Sequence, residues 1–149
     1  MYFLALVAPL AAQELDPDEA AASASPLSIQ TRYKGSYQHG KDKPDFKVSG
    51  SAVKSLFKNA GSTTVKATAS LTIIPAPMGS EQMPGEVHKV QVLVYENGGW
   101  RDADCSLTRS DLDGGEMNCV NLEIRAGVSV AVLCHTGGAC YWDVTAETP

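Results

Sequence analysis

The first 31 residues contain no lysine and no arginine. No stretch of the chain approaches the roughly 20 consecutive apolar residues of a spanning helix. The longest uncharged apolar run, Met1–Ala12, is instead the length of a signal-peptide h-region ending in small residues. It lacks the usual basic n-region, so an N-terminal strand or a partner-buried tail is its other reading. Aromatics make up only 7% of the residues, which leaves Val, Ala, Leu and Ile to build most of the core. There is no H-E-x-x-H and no G-x-S-x-G, hence no zinc-protease helix and no nucleophile elbow. His39, His88 and His135 are far apart and share no ligand spacing. No two cysteines stand two residues apart as in a zinc ribbon. A net charge of −5 argues against nucleic acid as a partner.

What is present is unevenly distributed. Residues 27–66 hold eight Lys/Arg against Asp42 and Asp45, whereas residues 81–149 hold eleven acids against Lys89, Arg101, Arg109 and Arg125. Strands of opposite charge in one domain neutralise each other; a bipolar surface docking onto a charged partner is the sharper alternative. All four cysteines, Cys105, Cys119, Cys134 and Cys140, lie in the last third. Four cysteines allow three connectivities, and neighbour pairing, 105–119 and 134–140, is the simplest. Disulfides and a signal-like start both imply an oxidising compartment, so the expected location is secreted or periplasmic.

The organisation reads as a signal-like segment over 1–12, an acidic Ala/Ser-rich linker over 13–26 and a folded domain over 27–149. Within the linker, Asp16-Pro17 and Glu19 have the pattern of a helix start, but no apolar stripe follows, and a mobile linker or surface turn is expected there. Leu27, Ile29, Thr31 and Tyr33 alternate with polar residues and mark a first strand, followed by a basic loop over Gly35–Asp45. Residues 46–59 fit either a helix, through Val53, Leu56, Phe57 and Ala60, or a strand and turn; the strand is preferred because the next run is unambiguous. Val65, Ala67, Ala69, Leu71 and Ile73 alternate through a long half-buried strand. Three prolines end it. Val90, Val92 and Val94 begin another strand, which closes at the Asn97-Gly98-Gly99 turn signal. Val120, Leu122 and Ile124 give one more. The last run reads as a hairpin, Val128–Cys134 and Cys140–Val144, with a disulfide across its loop. Its parity puts Val130, Val132, Trp142 and Val144 inside, and Ser129, Ala131, Tyr141 and Asp143 outside. About seven to eight short strands without a sure helix predict an all-β, single β-sandwich, immunoglobulin-like or related. The Lys58-Asn59-Ala60-Gly61 turn before an alternating strand resembles hairpins of bacterial immunoglobulin-like modules.

Candidate chemistry is sparse. Ser51-x-x-Lys54 and Ser55-x-x-Lys58, then Ser110-Asp111 and His135-Thr136-Gly137, follow the order of penicillin-recognising enzymes. The second motif lacks its Asn, the third has His for Lys, and the chain is too short and helix-poor for that fold. Asp102, Asp104, Asp111, Asp113 and Glu116 crowd around the segment between Cys105 and Cys119, an oxygen-rich pattern that suits Ca²⁺ or simply solvated turns. No other cofactor is implied. Tyr37, Lys41 and Lys43 put an aromatic among bases in the first loop, a possible contact for phosphate or an acidic partner. Tyr95, Trp100, Tyr141 and Trp142 are candidates for a sugar-stacking platform, of which Tyr141 alone has outward parity in the last strand. With no catalytic constellation, the expected function is a non-catalytic structural or protein-interaction module of a cell-envelope or surface assembly, with a protein partner. A Ca²⁺- or carbohydrate-binding module is the alternative, and a small hydrolase or enzyme inhibitor the third reading.

Overall fold

A computed structural model of the chain describes residues 16–23, 32–75, 87–110 and 114–147. These residues form one short helix, α1 (Pro17–Ser23), and nine strands: β1 (Arg32–Gln38), β2 (Phe46–Val48), β3 (Ser51–Lys58), β4 (Val65–Ile74), β5 (Val87–Glu96), β6 (Gly99–Ser110), β7 (Gly115–Ile124), β8 (Ser129–His135) and β9 (Ala139–Glu147). Every pairing is antiparallel. The strands divide into a four-stranded sheet, ordered β1-β9-β4-β7, and a five-stranded sheet, ordered β2-β3-β8-β5-β6. Residues 46–58 are thus two strands joined by a turn at Ser49–Gly50 and not a helix, which agrees with the strand reading. The residues Leu27, Ile29 and Thr31 of the expected first strand lie outside the described residues.

The pairing is nested. β5 pairs with β6 across the Asn97–Gly98 turn, then β4 with β7, β3 with β8 and β1 with β9. Asn97 and Gly98 have φ of 57° and 81°, the left-handed pair that a two-residue type I′ hairpin needs. The chain is in effect one long doubled ribbon, bent at this turn and rolled so that its two halves face each other, which is the jelly-roll form of the sandwich. It is the "related" arrangement and not the immunoglobulin one.

Between the sheets, inward positions alternate with outward ones as the pattern demanded. β4 runs buried and exposed by turns, and Val65, Ala67, Ala69, Leu71 and Ile73 all face the core. Trp142, only 5% exposed, joins them from β9. Its indole lies so close to β1 that a Cβ on Gly35 would stand 2.9 Å from its Nε1; Gly35 is there because a strand must pass an aromatic ring at backbone distance.

The terminal hairpin requires correction. β8 belongs to the five-stranded sheet and β9 to the four-stranded one, so the two arms share no ladder. The Cys134–Cys140 bridge joins sheet to sheet. Cys105–Cys119 does the same between β6 and β7. The connectivity is the simplest one expected, but its role is to staple the two layers together. The Lys58–Gly61 segment likewise is no hairpin turn; it carries the chain from one sheet to the other. There Asn59 is buried and its side chain donates to the carbonyls of Thr63 and Ile124, both at 2.9 Å, while its main chain bonds Val128 and Gly127. A buried amide so satisfied fixes the path of two crossing connections at once.

A second correction concerns residues 17–23 and the outer face of the five-stranded sheet. The acidic segment read as linker forms α1, capped by Asp16 through a 2.8 Å bond from the Asp18 N–H. Its small face lies on the sheet: Ala20 is 1% exposed and packs with Phe46, Val53, Leu93, Ala131 and Leu133. The Ser129 hydroxyl donates to the Ala21 carbonyl at 2.7 Å, and the Trp100 indole N–H to the Pro17 carbonyl at 3.3 Å. Ser129 and Ala131 are therefore buried, not outward to solvent, and β8 is covered on both sides. The run Val-Ser-Val-Ala-Val-Leu carried that signal, since near-continuous small and apolar residues mark a strand buried on two faces.

Candidate functional site

The outer face of the four-stranded sheet has no such cover among the described residues. Registers place its outward side chains in rows across the strands. One row is Ser36, Tyr141, Thr72 and Glu116, and the next is Lys34, Asp143, Ser70 and Asn118. Rows stand about 7 Å apart along the strands and neighbours about 4.8 Å apart across them. Tyr141 is the centre of the first row and is 44% exposed. Ile74, one row away beside Ala139, adds a little apolar area. Around Tyr141 the face is almost entirely hydrogen-bonding groups.

These groups are held in place. Arg32 grips the Asp143 carboxylate with two parallel bonds of 2.9 and 2.6 Å, the bidentate geometry that fixes both side chains. The Asp143 carboxyl titrates below its ordinary value, chiefly because it accepts from Arg32. The Ser70 hydroxyl donates to Asn118 Oδ1 at 2.8 Å. Sequence reasoning picked out Tyr141 but missed Ser36, Ser70, Thr72 and Asn118. A lone strand's parity says which way a residue points, and only the register says who stands beside it.

The other sequence candidates disperse. Trp142 is core. Tyr95 and Trp100 meet edge to face, with ring centroids 5.2 Å apart, and seat α1, Tyr95 donating from its hydroxyl to Asp18 at 2.5 Å. The four-aromatic platform therefore reduces to Tyr141. Tyr37 is not on a basic loop: β1 extends through Gln38, and Tyr37 faces inward opposite Cys140. Lys41 and Lys43 are exposed on the connection that follows. Of the oxygen cluster, Asp111 and Asp113 lie outside the described residues. Asp102 turns its carboxylate to its own backbone, accepting from the Asp104 and Cys105 N–H groups at 2.8 and 3.4 Å, which shapes a bulge in β6 where Asp104 has φ of 62°. Glu116 lies on the other sheet, in the Tyr141 row. Among the described residues, no three His, Cys, Asp or Glu side chains converge as a metal site.

The Ser51-x-x-Lys54 match comes apart in the same way. Lys54 reaches Asp45 at 3.5 Å, while Ser51 Oγ meets His135 Nδ1 at 3.2 Å across the β3–β8 pair. No carboxylate orients that histidine in the described structure. At the opposite end of the sandwich, Arg125 and Arg101 clamp Glu96, Arg125 at 2.6 Å. The Glu96 carboxyl is lowered, first by the bond from Arg125 and then by that from Arg101.

No known family model matches the chain, and no curated protein matches it. Among solved structures it is similar to TmCBM61 in complex with beta-1,4-galactotriose, with a TM-score of 0.31 and 12% identity over 81% of this chain and 67% of that one. It is also similar to the GH26-CBM35 beta-(1,4)-mannanase of Podospora anserina, with a TM-score of 0.31 and 10% identity over 78% of this chain and 28% of the enzyme. At such scores these likenesses carry no weight for ligand or mechanism, and the β-sandwich stands on its own two sheets. Two disulfides are chemistry that an oxidising environment sustains, and no helix among the described residues is long and apolar enough to cross a membrane.

Proposed function

We propose that the chain is a non-catalytic, secreted or periplasmic recognition module that binds a polar extended ligand, an oligosaccharide, on the open face of its four-stranded sheet. One observation carries the reading: Tyr141, the one exposed aromatic among the described residues, sits at the centre of a sheet face that no described residue covers and whose neighbours are hydroxyl, amide and carboxylate groups. A Tyr ring offers an apolar face for the C–H side of a sugar and a hydroxyl for its edge, and the surrounding rows offer donors and acceptors at strand spacing. A protein-interaction module, the expectation from missing catalytic motifs, has less behind it. Among the described residues the exposed apolar side chains Ile74, Val87, Met117 and Val120 are spread over β4, β5 and β7 of two different sheets, unlike the contiguous patch such interfaces use. The long edge strands β6 and β7 both carry bulges, a device that discourages strand addition.

Affinity electrophoresis against a panel of soluble β-linked and α-linked polysaccharides tests the proposal. The protein should be retarded by at least one class, and Tyr141→Ala should abolish the retardation with the fold intact by circular dichroism. No retardation by any polysaccharide, or full retardation of the variant, defeats the reading.

A further inference from the structure

The rows of the open face are not equivalent. In the row of Lys34, Asp143, Ser70 and Asn118 the groups are engaged within the protein. Asp143 accepts both bonds from Arg32 at 2.9 and 2.6 Å, and the Ser70 hydroxyl donates to Asn118 Oδ1 at 2.8 Å. Lys34 is the register partner of Asp143, so both cations of β1 stand against one carboxylate. The row beside it, Ser36, Tyr141, Thr72 and Glu116, crosses all four strands. Among the described residues, none of these four side chains takes part in a hydrogen bond or ion pair. On the far side, Ala139 and Ile74 follow Tyr141 and Thr72 along their strands and carry no hydrogen-bonding side chain. The row is therefore a strip about 14 Å long at strand spacing, bounded by engaged polar groups on one side and apolar ones on the other.

Glu116 gives the strip a direction. It is exposed and is the row's one charged group. An ionised carboxylate only accepts, so a ligand at this end has to bring donors, and adjacent hydroxyls of one sugar ring can fill both oxygens. Bonds to an ionised acceptor are the strong ones. Ser36 and Thr72 each donate and accept, which suits hydroxyls elsewhere on the ligand.

We propose that the oligosaccharide lies across the strands, along Ser36, Tyr141, Thr72 and Glu116, and that the Glu116 carboxylate restricts it to neutral sugars by taking adjacent hydroxyls of one ring. This rests on the reading of the Tyr141 face as a sugar site. Every ring of a polyuronate carries a carboxylate, so one comes beside Glu116 whatever register the chain takes, and like charges there repel.

Isothermal titration calorimetry of the full chain with cello-, galacto-, manno- and maltohexaose, each also oxidised at C6 to its uronate, tests it. At least one neutral hexaose should bind, and its uronate at least about tenfold more weakly. Glu116→Gln should weaken the neutral ligand about tenfold and narrow its margin over the uronate, and Thr72→Ala should weaken it about threefold to tenfold. Thr68→Ala and Thr145→Ala, two rows away on β4 and β9, should bind as the parent does. Parental affinity in the Glu116 and Thr72 variants, equal binding of the uronate, or losses at Thr68 and Thr145 that match the loss at Thr72 overturn the inference; if Tyr141→Ala still abolishes binding, the sugar reading stands without it. No binding of any hexaose also overturns the inference, and the polysaccharide electrophoresis decides the reading beneath it separately.

Discussion

The two sheets present opposite outer faces. That of the five-stranded sheet is roofed: α1 lies on it, and Phe46, Leu93, Ala131 and Leu133 pack beneath, with Trp100 at the margin. That of the four-stranded sheet is bare of any described element, and its side chains are mostly charged, hydroxyl and amide groups around one tyrosine, with Ile74 at one end. Both sheets share the same core, so packing alone does not require this asymmetry. A face lined with small and apolar residues has to be covered or it associates; a face lined with satisfied polar groups can remain open at no cost. The difference separates a covered face from one that no described residue covers.

The sharpest way to break this comparison uses neighbours in sequence. Trp142→Ala removes a core indole and should cost about 3 to 5 kcal/mol. Tyr141→Ala, on the open face, should lie within about 0.5 kcal/mol of the parent. Denaturant melts decide it, and a large loss at Tyr141 would mean that its face is covered after all. The staples between the faces come next. Replacing Cys105 and Cys119 together should cost about 3 kcal/mol and Cys134 with Cys140 about 2 kcal/mol, because the first loop is longer, with separations of 14 and 6 residues. Thermal melts of the two double variants rank them; the reverse order would point to strain or residual structure that loop length ignores.

Covering is tested by placing the same charge on each face. Ala20→Asp, under the roof, should destabilise by about 1 to 3 kcal/mol, and Thr68→Asp, on the open face, by less than about 0.5 kcal/mol. Equal effects in urea titrations would show that α1 does not seal its sheet. The smallest effect is expected from acid. Glu96 is lowered in the fold by Arg125 and Arg101, so its contribution is present above the ordinary carboxylate range and is lost as pH falls through its lowered value. The pair is exposed on its arginine side, which keeps the contribution small. Glu96→Gln should lower the neutral plateau slightly and leave the acid end where it was, so that the two curves converge as pH falls; an unchanged curve removes the clamp from the stability account.

Much of the architecture was legible because alternation is a direct print of a half-buried strand. β4 and β9 follow it residue by residue, and the Asn97-Gly98 signal gave its turn. The failures have one cause. Parity assumes that one face is wet, and β8 has no wet face, since a helix contributed from more than a hundred residues away covers it. The same long range hid the partners of Cys134 and Cys140, which looked like the two sides of a hairpin because they are six residues apart. The rows around Tyr141 required register, which no local pattern encodes.

The nested pairing also predicts an order in time. The innermost pair, β5 with β6, needs only a two-residue turn and can close within about 1 to 10 μs. Each later pair encloses all those within it, and the outermost brings together Arg32 and Asp143, which are 111 residues apart. Contacts that distant put a domain of this kind among the slow folders, in the range of about milliseconds to seconds. Until β1 meets β9, the open face lacks its edge strand. The row containing Ser36 and Tyr141 is split between the two ends of the ribbon, so the open face is expected to be completed last.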